Sequence, residues 1–202
     1  MTFPRELDIL RAITSPQRVW SRSEVLAKPC PIPDVAGVYG WYFRDLPCAM
    51  NVGGCVAHDD LTLLYVGISP KSPPSNGKPA SRQTLRKRVR YHYTGNAEGS
   101  TLRLTLGCLL AERLGIELRR VGSGKRRTFL HSGEALLSEW MASNAFATWI
   151  ETPAPWVAEH QLIEELDLPL NLDQNQRNPF HKILSEICAA AKKHAGQLPV
   201  HE

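Results

Sequence analysis

Glu159 is the residue whose placement most needs explaining. On a helix expected over residues 156–166, Trp156, Leu162, Ile163 and Leu166 form one apolar face, and Glu159 falls inside it. A carboxylate among apolar side chains is costly unless it has a partner. Glu164 and Glu165, by contrast, fall on the polar side. A second reactive pair is Arg88 and His92, which share one stripe of a helix expected over 83–93, beside the apolar pair Leu85 and Val89. A carboxylate is a hard ligand for a divalent cation, and a guanidinium offers a planar fork to a phosphate oxygen. Such groups suit the stabilisation of charge on a phosphodiester.

The distribution of charge points the same way. The 202-residue chain carries a net charge of only +4. Between Asp60 and Glu98, however, there is no acidic residue, while Lys71, Lys78, Arg82, Arg86, Lys87, Arg88 and Arg90 make the segment +7. A polyanion is the natural partner of such a segment, and Arg82, Arg86, Lys87 and Arg90 are its candidate phosphate contacts. A second basic cluster, Arg119, Arg120, Lys125, Arg126 and Arg127, surrounds Gly122-Ser123-Gly124-Lys125. This fails as a phosphate-binding P-loop, because Arg126 and Arg119 replace the required hydroxyl residue and first glycine; a basic hairpin or loop is expected instead.

The elements that must position these groups can be read from pattern. Two short helices are expected over 5–28, then strands over 35–43 and 61–68, rich in Val, Tyr, Trp and Leu and pairing antiparallel. A proline-rich loop over 69–81 precedes the basic helix, and Ser100 caps a helix that Gly115 ends. A helix opening at Ser132, a third strand over 146–151, the Glu159 helix and a closing helix over 180–194 complete the chain. The expected architecture is α/β: a small three-stranded antiparallel or mixed sheet flanked by helices. Residues 1–34 are expected to form an N-terminal helical extension, 35–175 the domain that carries these reactive groups, and 176–202 a C-terminal helix packed on it.

Five cysteines, scattered and never spaced Cys-x-x-Cys, indicate neither a disulfide framework nor a zinc ribbon. With no signal pattern and no apolar run of membrane-spanning length, a cytoplasmic protein with no membrane partner is expected.

Five ordered pieces, Gly37-Val38-Tyr39, Tyr65-Val66-Gly67, Leu85-Arg86-Lys87-Arg88-Val89, Glu159 and Asn171, resemble the GIY-YIG nuclease family. His92, four residues after Arg88, and Asn171, twelve after Glu159, fit its intervals. Ile68 stands where some members have Lys, and the long Tyr39-to-Tyr65 spacer is similar to the family's restriction-enzyme branch. The resemblance implies a catalytic set of Tyr39, Tyr65, Arg88, His92, Glu159 and Asn171, with Glu159 holding one Mg²⁺ or Mn²⁺. The substrate would be DNA, with RNA open, cut by a monomer or homodimer; the alternative is a catalytically silent nucleic-acid-binding domain of the same fold. Tyr39 or Tyr65 would orient or deprotonate water, helped toward phenolate by Arg88 and the cation. His92 could take that proton or bind phosphate, and Asn171 would position rather than react.

Overall fold

A computed structural model describes residues 6–74 and 81–201. Positions 75–80 of the expected proline-rich loop, including Lys78, lie outside the described residues. In chain order the elements are α1 (Glu6–Thr14), α2 (Arg22–Leu26), β1 (Gly37–Phe43), β2 (Ala57–His58), β3 (Leu61–Ser69), α3 (Leu85–Thr94) and α4 (Thr101–Leu109). There follow α5 (Ala111–Leu114), β4 (Arg119–Val121), β5 (Arg126–Thr128), α6 (Leu130–Asn144), β6 (Ala145–Glu151), α7 (Pro155–Glu165) and α8 (His181–Gln197).

The three expected strands form the antiparallel heart of the sheet, in the order β3-β1-β6. This sheet has one strand more than expected: Ala57–His58 turns back at Asp59, whose φ is 52°, and pairs with the start of β3. Two residues with no hydrophobic alternation leave no strand signal. The basic cluster forms the hairpin β4–β5, turning through Gly122 and Gly124, both at positive φ. The Ser100 helix breaks at Leu110 into α4 and α5, and α2 starts after Ser21, which forms a capping box with Glu24.

Helices cover both faces of the sheet. On one side Tyr39, Trp41 and Phe43 pack with Leu85, Val89 and Tyr93 of α3 and with side chains of α2, α4, α6 and α8. On the other, Val38, Tyr42 and Val66 meet Ile9 and Ile13 of α1 and Ala158, Leu162 and Ile163 of α7. The terminal helices therefore share the cores of the sheet, and Trp20 extends it by pairing with Ala147 of β6.

An irregularity in β3 determines which face the second tyrosine takes. Trp41 pairs with Tyr65 but Tyr42 pairs with Leu63, so Leu64 is an extra residue. This bulge resets the two-residue alternation: Leu63 and Val66 face α7, while Tyr65 joins Tyr39 on the α3 side. A regular strand would put Tyr65 on the face of Leu63. Gly67 lies directly across from Tyr39, and a Cβ there would stand 2.5 Å from the Tyr39 hydroxyl. Only glycine lets the phenol ring lie across β3 at that point. Gly37 is similarly constrained, since a Cβ would meet the Ile150 carbonyl oxygen at 2.3 Å.

Candidate active site

The end of β3, the first turns of α3, the α7 helix and residues 171–174 enclose a cleft of about 680 Å³ lined by Tyr39, Tyr65, Lys71, Arg88, Glu159 and Asp173, among others. Of the six predicted catalytic residues, five line this cleft; His92 lies beneath it.

Tyr39 forms part of the cleft floor, almost wholly buried. Its Oη is 2.8 Å from His92 Nε2 and receives the Arg88 Nε–H at 3.4 Å. The other His92 nitrogen, Nδ1, is 2.7 Å from Ser100 Oγ. Both imidazole nitrogens are occupied and the ring is fully buried, so His92 has no nitrogen left for phosphate and reaches the cleft only through Tyr39.

Hydrogen-bond accounting assigns the tautomer. As N-cap of α4, Ser100 Oγ accepts the Arg103 N–H at 3.1 Å. If the serine donates its own proton to Nδ1, its donor and acceptor roles are both filled, and His92 carries its proton on Nε2 and donates to Tyr39. The opposite tautomer leaves the serine proton without an acceptor among the described residues. Tyr39 Oη is then an acceptor for His92 and Arg88, and the Tyr65 hydroxyl also favours its phenolate.

Arg88 draws both phenols toward ionisation, as expected, but by itself does not offset their burial. Burial, the largest influence, pushes Tyr39 up to about 12 despite the pull of Arg88, and pushes Tyr65 well above the usual phenol value. His92 is held well below the ordinary imidazole value, by burial first and then by Arg88 and Arg103, so it is neutral at physiological pH. Burial likewise raises Glu159 to about 7, with Lys71 pulling it down, Asp173 pushing it up and Arg88 pulling it down.

Glu159 sits in the apolar stripe expected of it, between buried Ala158 and the pair Leu162 and Ile163, and turns toward the cleft. No cluster of three or more His, Cys, Asp or Glu side chains able to hold a metal exists among the described residues. One carboxylate, with Asp173 lining the same cleft, fits a hard cation that keeps most of its coordination sphere for water and phosphate.

Asn171 has a different task. Its Oδ1 accepts the Val66 N–H and its Nδ2 donates to the Val66 carbonyl, both at 2.9 Å. Leu170 N–H adds a bond to the Leu64 carbonyl at 3.0 Å. Residues 170–171 thus stand in for a neighbouring strand on the open edge of β3, holding the bulge that aims Tyr65.

Among the predicted phosphate contacts, Arg82 and Lys87 are exposed. Arg86 and Arg90 are half-buried and donate to the carbonyls of Ile32 at 2.7 Å and Val25 at 3.0 Å, away from the cleft. Sequence reasoning missed Asp173 altogether and treated Ser100 only as a helix cap. The spacing of Asp173, two residues after Asn171, was the available signal for the first.

An α/β layer with phenols, a guanidinium and a carboxylate converging at one end of its sheet is the class that fold and site define. The family model for the GIY-YIG catalytic domain matches residues 37–193, and the chain belongs to that nuclease family. The match takes in most of α8. No curated protein and no solved structure matched the chain. GIY-YIG nucleases generally use divalent metal ions and act on nucleic acid. Among the described residues, no helix is long and apolar enough to cross a membrane.

Proposed function

We propose that this protein is an endonuclease that hydrolyses phosphodiester bonds in DNA with one Mg²⁺ or Mn²⁺ held by Glu159. The observation that carries the reading is the convergence of Glu159, Arg88 and the Tyr39 oxygen on a single cleft. A cation bound there supplies polarisation of the scissile phosphate and eases departure of the 3′ oxygen. Arg88 binds a non-bridging oxygen and offsets its developing charge; as a guanidinium it does not titrate. Tyr39, rather than Tyr65, takes the proton of the attacking water as a phenolate, its own proton having first gone to solvent once the cation joins Arg88 and the His92 N–H in stabilising the charge, because its oxygen is the one that His92 and Arg88 both address. His92 contributes a fixed hydrogen bond to that oxygen and stays neutral. Asn171 keeps Tyr65 and the strand edge in place.

Supercoiled plasmid and RNA incubated with Mg²⁺ or Mn²⁺ provide the test. The wild-type protein is expected to nick or linearise DNA, and Glu159→Gln to leave it intact. Because burial raises Glu159 to about 7, protons compete with the cation below that pH. The Mg²⁺ concentration for half-maximal cutting is therefore expected to rise about tenfold from pH 8 to pH 6, about fivefold of it below pH 7, and to level off above about pH 8. Equal cutting by Glu159→Gln, or a wild-type protein that binds but never cuts nucleic acid of several shapes, would overturn the catalytic reading. The second outcome would establish a silent binding domain.

A further inference from the structure

The catalytic cleft does not end at Arg88. A groove lined by Ser81, Gln83, Glu98 and Gly99 opens beside it and shares Ile68, Lys71, Arg88 and Thr101 with the cleft, so the two are continuous. At the far end of this groove stands the β4–β5 hairpin, because the Arg127 N–H donates to Glu98 Oε2 at 2.7 Å.

The hairpin is fixed on both sides. Arg120 of β4 donates to the carbonyls of Ala195 and Leu198 at the end of α8, and its own carbonyl accepts the His201 N–H at 2.8 Å. Arg119 donates to the Pro199 carbonyl and pairs with Glu117. Next to β5, the Phe129 N–H is held by Glu134, which also accepts the Ala97 N–H and closes an ion pair with fully buried Arg103. The loop that forms the groove wall and the strand that carries the hairpin are thus tied to one carboxylate.

Within this frame the basic residues divide. Arg119 and Arg120 are spent on the chain's own carbonyls, whereas Lys125 and Arg126 are exposed and have no carboxylate partner among the described residues. Arg126 folds its guanidinium back over the turn at Gly122, and the Arg127 Nε–H has no acceptor among the described residues. The single acid in the groove wall, Glu98, is already engaged by a backbone N–H.

We propose that the hairpin turn, through Lys125, Arg126 and Arg127, is a second phosphate-binding surface, and that nucleic acid leaving the cleft runs along the Lys71–Gly99 groove to reach it. The proposal rests on the nuclease reading and extends its footprint. A duplex carries one charge per ~1.7 Å of axis, so a continuous groove with cations at both ends follows a backbone rather than a small anion. Arg119 and Arg120 at the hairpin's base fix its place, and its turn carries the free charge.

The test uses the full chain carrying Glu159→Gln, so that binding is read without cutting, and a fluorescent ~25-base-pair duplex titrated at several NaCl concentrations. Lys125→Ala/Arg126→Ala is expected to make the slope of log affinity against log salt shallower by about 1.8, the loss of two phosphate contacts. Lys182→Ala/Lys193→Ala removes the same charge from exposed positions of α8 that line neither cleft nor groove, and is expected to leave the slope alone. A slope unchanged by the hairpin substitutions, in a protein whose Glu159 form cuts DNA, would overturn the proposal and leave the nuclease reading standing. Equal losses from both double substitutions would also overturn it, since total charge alone would then set affinity. If the Glu159 form neither binds nor cuts, both readings fall together.

Discussion

Two stripes of α3 carry the same residue type to opposite ends. Arg86 and Arg90, four residues apart, reach outward from the sheet's active end and grip the carbonyls of Ile32 and Val25 in the N-terminal segment. Arg88 and His92, about 160° around the helix, turn to Tyr39, and Arg88 also donates to the Gly99 carbonyl at 2.8 Å. The first stripe ties the chain to itself, while the second presents charge to a cleft. An exposed cation faces a polyanion at little cost, whereas one that satisfies orphan carbonyls is already committed, so a positive count overstates the surface a phosphate can use.

The largest effect expected from this division belongs to Arg88. Arg88→Ala should lower the cleavage rate on the order of 10²- to 10³-fold, the scale for losing one preorganised donor at developing charge. Arg88→Lys should recover little, because an ammonium cannot bridge Tyr39 and a phosphate oxygen as the planar fork does. Single-turnover cleavage by folded protein checks both, and near-normal cutting by the Lys variant would remove the geometric argument.

On the other stripe the effect should fall on stability. Arg90→Ala or Arg86→Ala leaves a carbonyl without its charged donor, a loss of about 1.5–3 kcal/mol in urea unfolding. The rate per folded molecule should follow wild type. An Arg90→Ala protein as stable as wild type but weaker on DNA would erase the contrast between the stripes.

How much of this could be read beforehand depended on how local the cause was. Glu159 stood out because one carboxylate broke a helical stripe, and Arg88 and His92 shared a face by spacing alone. The fates of Arg86 and Arg90 were illegible: their acceptors lie 54 and 65 residues away, and a backbone carbonyl leaves no mark in a sequence. The face taken by Tyr65 was hidden too, since one extra residue at Leu64 reverses the alternation. The three long strands came through because Val, Tyr and Trp favour pleated sheet, whereas β2 is too short for any period.

The smallest effect concerns Ser100, which connects the cleft stripe to the protein's interior. It donates to His92 Nδ1 and caps α4, and Arg103 in the next turn donates to the His92 carbonyl at 3.2 Å. Ser100→Ala removes the donor that keeps the imidazole proton on Nε2. The ring can then protonate Nδ1, and Nε2 becomes an acceptor that draws in the Tyr39 hydroxyl proton. A phenol committed as a donor to histidine is a poorer acceptor for water, so the turnover rate should drop about tenfold with KM for DNA unchanged, the size of a misdirected proton acceptor. The lost cap should also cost about 1 kcal/mol of stability, which Ser100→Thr restores together with the hydroxyl. Nitrogen chemical shifts of His92 separate the two consequences: the tautomer should switch in the Ala variant and revert in the Thr variant. A stable Ala variant with wild-type turnover, or one whose Nε2 stays protonated, would mean that the imidazole's orientation is fixed by packing against Trp41 and Tyr39 rather than by the serine.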